Sequence, residues 1–183
     1  MIANWFTKKR IVLLAISVAL VLICIVIGFM IYNNRKTMPL SHVYVCDNPE
    51  EDSEFDKWIR NEAMVDWVPT YVIIKNGYVI GTIKGGISQK QFSSRLATVL
   101  IQGTPYAELP DIEISNLKDE KHSLKSIMTG DDVYILEISW IDCKDCKFQD
   151  DNYTDEIYLR YSTKMIYRYY IRSDKDKVLD KYN

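Results

Sequence analysis

What this chain has little of narrows its class first. Its 23 lysines and arginines do not outnumber its 25 aspartates and glutamates, and a formal charge of −2 withholds the clustered basic excess that a nucleic-acid surface requires. Nucleic acid is therefore not an expected partner. Histidine is scarce: His42 and His122 lie far apart and read as surface or turn residues, not as a ligand set. Four cysteines are too few for a disulfide-stapled miniature scaffold. No second pair at ligand spacing accompanies the single CxxC, so a structural zinc site is not expected, and no motif calls for a cofactor or another metal. Glycines are few, seven beside thirteen tyrosines, which fits a strand-rich, well-packed domain. What is present is a folding composition, 48 % hydrophobic with 26 % charged residues, and not a disordered one. The length suits one ordinary domain plus an appendage.

The appendage lies near the start. From Ile11 to Ile31 no residue is charged, and a helix of that length covers roughly the hydrocarbon core of a bilayer. Lys8, Lys9 and Arg10 precede the run, Arg35 and Lys36 follow it, and acidic residues dominate soon after. The expectation is a cytoplasmic segment 1–10, a single transmembrane anchor over 11–32 and a short tether 33–40. A domain over 41–183 would then stand outside the cytoplasm at the cell membrane. A cleaved signal peptide is the rival, but its apolar region is normally shorter and no A-x-A-like site follows Ile31. Ile23 before Cys24 opposes lipoprotein-type cleavage, leaving Cys24 as a lipid-facing or helix-packing residue.

In the remaining chain, His42–Cys46 is a brief strand candidate, and Cys46 reads most simply as a small buried hydrophobe. Ser53 with Asp56 three residues on marks a helix start, followed by Phe55, Trp58, Ile59 and Ala63 at helical spacing. Thr70–Lys75 and Tyr78–Lys84 are β-rich runs separated by Asn76-Gly77, a strong hairpin signal because both residues tolerate positive φ. Ser88 and Gln91 form a capping-box pattern ahead of a helix with Phe92, Leu96, Val99 and Leu100 on one side. A loop around Gly103–Pro110 separates a first block, 41–102, from a second, 103–183. Ile112 and Ile114 suggest a strand, and His122–Met128 a turn or short helix. Val133–Trp140 reads as a buried central strand. A helix continues after Cys146 through Leu159, then a strand over Met165–Ile171 and a final helix over Lys175–Tyr182. Alternating strands and helices indicate an α/β architecture. Asn152-Tyr153-Thr154 matches a glycosylation sequon on the helix expected after Cys146, and is set aside.

Asp142-Cys143-Lys144-Asp145-Cys146 carries the chemistry. A redox disulfide needs two thiols close enough to bond and one that ionises readily. CxxC at a helix start supplies both, because the first sulfur lies over unsatisfied backbone N–H groups that favour the thiolate. Cys143 is the expected attacking thiol and Cys146 the resolving one, the two forming a disulfide when oxidised. Lys144 assists ionisation while Asp142 and Asp145 oppose it, so the pair's direction as oxidant or reductant stays open. An inert disulfide bracing the helix, or a metal-handling loop, is the bland reading of the same four-residue spacing.

Two segments together resemble the thioredoxin superfamily. Trp67-Val68-Pro69-Thr70 followed by Tyr71–Gly77, a second strand, a glycine pair and a capped helix resembles the C-terminal half of that fold. Leu109-Pro110-Asp111 through the CxxC resembles the N-terminal half of membrane-tethered relatives. The resemblance implies a mixed sheet flanked by helices, with Pro69 in cis beside the redox cysteines and Val68, Pro69 and Thr70 shaping the substrate-binding edge. It implies for Glu137, six residues before Cys143, a buried acid used in proton transfer, against a plain reading as a solvent-facing strand residue. Asp142 stands where the family has tryptophan, and the two halves come in reversed order, as in a circular permutation. His42–Cys46 and Met165–Ile171 then resemble the same family strand. The implied activity is that of a membrane-anchored thiol–disulfide oxidoreductase working on protein thiols and disulfides together with a redox partner protein. The alternative is a non-catalytic thioredoxin-like accessory or binding subunit of a membrane assembly, with a structural Cys143–Cys146 disulfide.

Overall fold

The computed structural model describes residues 16–27, 40–45, 53–128, 130–151, 157 and 166–182. Cys46 and the sequon at 152–154 lie outside them. The chain divides into two compact units, residues 1–36 and 37–183. In the first, a helix (α1) covers residues 16–27. Among the described residues no helix is long and apolar enough to cross a membrane, which corrects the expected transmembrane anchor over 11–32. Residues 11–15 and 28–32 of that run lie outside the described residues. Cys24 is exposed on α1.

The second unit is α/β, with one mixed sheet. Its strands are β1 (Val43–Val45), β2 (Thr70–Lys75), β3 (Tyr78–Lys84), β4 (Ala107–Glu108), β5 (Glu113–Asn116), β6 (Lys121–Ser123), β7 (Val133–Ser139) and β8 (Ile166–Tyr170). They lie in the order β4-β3-β2-β7-β8-β1-β5-β6. β8 runs parallel to both β7 and β1, and every other pairing is antiparallel. Strands from both sequence blocks thus share one sheet. β1 and β8 lie side by side. The helices are α2 (Glu54–Asn61), α3 (Gln89–Gln102), α4 (Leu124–Ile127), α5 (Lys144–Gln149) and α6 (Lys175–Tyr182).

Local chemistry explains most of these elements. Ser53 and Ser88 each cap their helix with a reciprocal capping box, through Asp56 and Gln91, satisfying two otherwise orphaned backbone N–H groups apiece. Asn76 and Gly77 take φ of 53° and 76°, the left-handed pair that a tight β2–β3 hairpin needs. Strand side chains alternate between two cores. One face carries Tyr44, Phe55, Trp58, Ile138 and Tyr169, and the other Tyr71, Phe92, Ile135, Ile166 and Tyr170. Three details differ from expectation. The loop 103–110 contributes β4 to the sheet edge, and the segment expected as a turn or short helix opens with β6. Leu100 is 40 % exposed although Phe92 and Leu96 are buried, because at about 100° per residue it stands off the stripe that Val99 completes.

Candidate redox site

The sheet pairing brings the two motifs together. β2 runs antiparallel to β7 with Thr70 opposite Ile138, so the first residue of β2 lies beside the last residues of β7. The Trp67-Val68-Pro69 loop that precedes β2 therefore meets the CxxC that follows β7, and the reversed chain order is no obstacle. The Val68–Pro69 peptide is cis. Thr70 Oγ1 donates to Trp67 O at 2.7 Å, closing the loop on itself, and Gly85 N–H donates to Pro69 O at 2.7 Å. A Cβ on Gly85 would lie 2.4 Å from Pro69 Cγ, so only glycine permits this approach.

The two cysteines differ sharply in environment. Cys143 is the N-cap of α5 and partly exposed, and its thiol donates to Val68 O at 3.7 Å. Cys146 is 2 % exposed, and its backbone N–H donates to Cys143 Sγ at 3.1 Å. Both are free thiols. Burial pushes the Cys146 thiol up to about 12, reinforced by its hydrogen bond with Cys143. The Trp140 backbone and the Ser139 hydroxyl act in the opposite sense and are outweighed. A cleft of about 570 Å³ opens over Cys143 between Val65, Trp67 and Val68 on one side and Trp140 and Ile171 on the other. Trp67 and Trp140 are 56 % and 40 % exposed, so the approach to the sulfur is flanked by large aromatic surfaces. Asp142 lies within 3.5 Å of Lys177 Nζ at the rim, both groups being well exposed, where such a pair contributes little.

Glu137 is 1 % exposed, which removes the solvent-facing reading. It sits opposite Arg168 across the β7–β8 pairing, and its Oε2 accepts from Arg168 Nε at 3.1 Å and Nη2 at 2.8 Å. Arg168 also donates to Asp150 Oδ1 at 2.7 Å, Tyr170 Oη at 3.1 Å and Tyr182 Oη at 3.0 Å. The guanidinium fork thereby joins the sheet, the residue after α5 and the C-terminal helix α6. Glu137 shares its sheet face with Ser139, one β-period further on, beside Cys146.

The structure thus brings Cys143, Cys146, Val68, Pro69 and Thr70 to one place, with Glu137 in the sheet behind them. Sequence reasoning did not single out Arg168 or Gln149, and read Gly85 only as part of the glycine pair after the second strand. Arg168 carries a readable signal, since it is the one charge inside the otherwise apolar and aromatic run Ile166–Tyr170. Among the described residues no group of three or more His, Cys, Asp or Glu is placed to hold a metal. No family model matches the chain, and neither a curated protein nor a solved structure matches it.

Proposed function

We propose that the protein is a thioredoxin-like thiol–disulfide oxidoreductase acting on protein cysteines through Cys143 and Cys146, with the two halves of that fold in permuted order. The observation that carries the reading is the asymmetric dithiol: Cys143 at the mouth of a cleft against Val68 O, and Cys146 buried beside it. An accessible thiol with a sequestered partner is what two-step exchange requires. In the first step Cys143, as thiolate, attacks one sulfur of a substrate disulfide. A mixed disulfide forms, the substrate S–S bond breaks and one substrate thiolate departs. In the second step Cys146 attacks the Cys143 sulfur, releases the second substrate sulfur and gives up its proton to it, so the substrate is reduced and the Cys143–Cys146 pair oxidised. A partner protein dithiol restores the pair by the same exchange, and the reversed sequence would oxidise a substrate dithiol. Val68, Pro69 and Thr70 form the edge along which a peptide lies, and Glu137, behind Ser139, relays the Cys146 proton. Nothing in this chemistry depends on a membrane-spanning segment.

Trapping tests the proposal. In Cys146→Ala the first step proceeds and the second cannot, so incubation with a peptide disulfide should accumulate a mixed disulfide at Cys143, seen as a mass increase that dithiothreitol removes. With Cys24 and Cys46 replaced by alanine in both variants, Cys143→Ala should accumulate none. No adduct with the Cys146→Ala protein, or equal adducts with both, would defeat it.

A further inference from the structure

Below the CxxC lies a second connection to the Pro69 loop that none of the chemistry above uses. Gln149 is on α5, three residues after Cys146, and 0 % exposed. Its Oε1 accepts from Ile87 N–H at 2.9 Å, and its Nε2 donates to Ile87 O at 3.3 Å and to Tyr71 Oη at 3.1 Å. A side-chain amide is suited to this, since it offers a donor and an acceptor side by side and pairs with both backbone groups of one residue. Two residues before Ile87, Gly85 N–H is bonded to Pro69 O. The contacts therefore close a ring: Cys143 to α5, Gln149 to Ile87, Gly85 to Pro69, and Val68 O back to the Cys143 thiol.

We infer that Gln149 is a positioning residue for disulfide exchange, setting the Val68–Pro69 edge against Cys143 so that a peptide disulfide is held in line for attack. The inference rests on the exchange chemistry proposed above. The Ile87 side chain is buried in the core, but the backbone that carries it is loosely bounded. Gly86, between Gly85 and Ile87, has φ of 72° and nothing within 4 Å of where its Cβ would be. The neighbouring Lys84–Asp66 pair is exposed and weak for that reason. An apolar side chain at 149 would fill the space yet leave the N–H and C=O of Ile87 buried without partners, a condition that drives the loop to move. Such a shift displaces Pro69 and Val68 while leaving Cys143, fixed by α5 and β7, where it is. The consequence is selective: engagement of an extended peptide across the Val68 edge suffers, whereas attack on a small disulfide needs only the sulfur.

The test compares two substrates on the full chain in its dithiol form. Rates are measured with a disulfide-linked peptide and with a small aromatic disulfide, for wild type, Gln149→Met and, as a destabilising control at a buried position in the other core, Leu124→Ala. For Gln149→Met the peptide rate should fall on the order of tenfold or more, mostly through a raised KM, while the small-disulfide rate stays within about twofold. Leu124→Ala should leave the ratio of the two rates unchanged. Should Gln149→Met not fold, Gln149→Asn, which keeps the amide but shortens its reach by one methylene, should show the same change of ratio. Equal loss on both substrates, or no loss on either, would overturn the positioning role while leaving the exchange chemistry intact. A wild-type protein that exchanges with neither substrate would instead remove the underlying reading.

Discussion

The two faces of the sheet are built from different materials. On one, aromatic rings meet edge and face: Phe55 lies 4.3 Å from Tyr169 in a T-shaped contact and 5.6 Å from Trp58 in a stacked one, and His42 stacks on Tyr167 at 4.4 Å. On the other, the rings of Tyr71, Tyr170 and Tyr182 turn their hydroxyls towards Gln149 and Arg168, and Arg168 bridges two carboxylates. The first face holds by area and shape, which many side chains supply. The second holds largely by donor–acceptor geometry, through directed hydrogen bonds between named groups. The difference matters because α5, capped by Cys143 and carrying Cys146, is tied to the second face. A buried ion pair adds little net stability over an apolar replacement, yet losing one partner is costly. Such a network therefore fixes where elements sit more than it deepens the native well.

This contrast can be broken in order of expected size. Arg168→Met removes the guanidinium from Glu137 and Asp150 and should cost about 3–5 kcal/mol, read as a lowered urea midpoint. Adding Glu137→Leu should recover a large part of that loss, since Asp150 keeps Lys181. A double variant as unstable as the single one would contradict the network account. Next comes alkaline stability. The folded Cys146 thiol ionises only near 12, whereas an unfolded cysteine does so near ~8.5. Below that lower value both states are protonated and the contribution is fully present. Above it the unfolded chain binds fewer protons, so stability falls as pH rises towards the folded value. Burial raises Tyr170 and Tyr182 in the same sense. The drop in urea midpoint between pH 8 and pH 10 should be smaller in Cys146→Ala than in the wild-type dithiol, and parallel drops would refute this. The smallest effect belongs to the aromatic face. Tyr169→Phe removes the hydroxyl and its contact with Ser53 Oγ at 3.3 Å, and should cost about 1 kcal/mol or less.

What the sequence made legible follows the same division. The β2–β3 hairpin, both capping boxes and the buried run of β7 ending in CxxC are local patterns, each complete within a few neighbouring residues. The meeting of Val68-Pro69 with Cys143 was readable from completeness of the sheet, because neither block alone covers its strands. β4 and β6 were not, being two and three residues long and existing only by pairing at an edge, with no periodicity of their own. The Glu137–Arg168 pair depends on a parallel register between strands 31 residues apart, and Gln149 on a backbone partner 62 residues away. Length misled in one place: 21 uncharged residues from Ile11 to Ile31 implied a span, whereas among the described residues no helix is long and apolar enough to cross a membrane.

The central claim is that Cys143 and Cys146 exchange with other thiols instead of bracing a helix. Equilibrating the protein with defined ratios of reduced and oxidised glutathione, and quantifying the fraction of dithiol by mass after alkylation, measures it most directly. The account predicts a reduction potential above about −300 mV, within the range of exchangeable pairs. A potential below that value, with the disulfide unmoved by the glutathione pool, would mark a structural bond and contradict it.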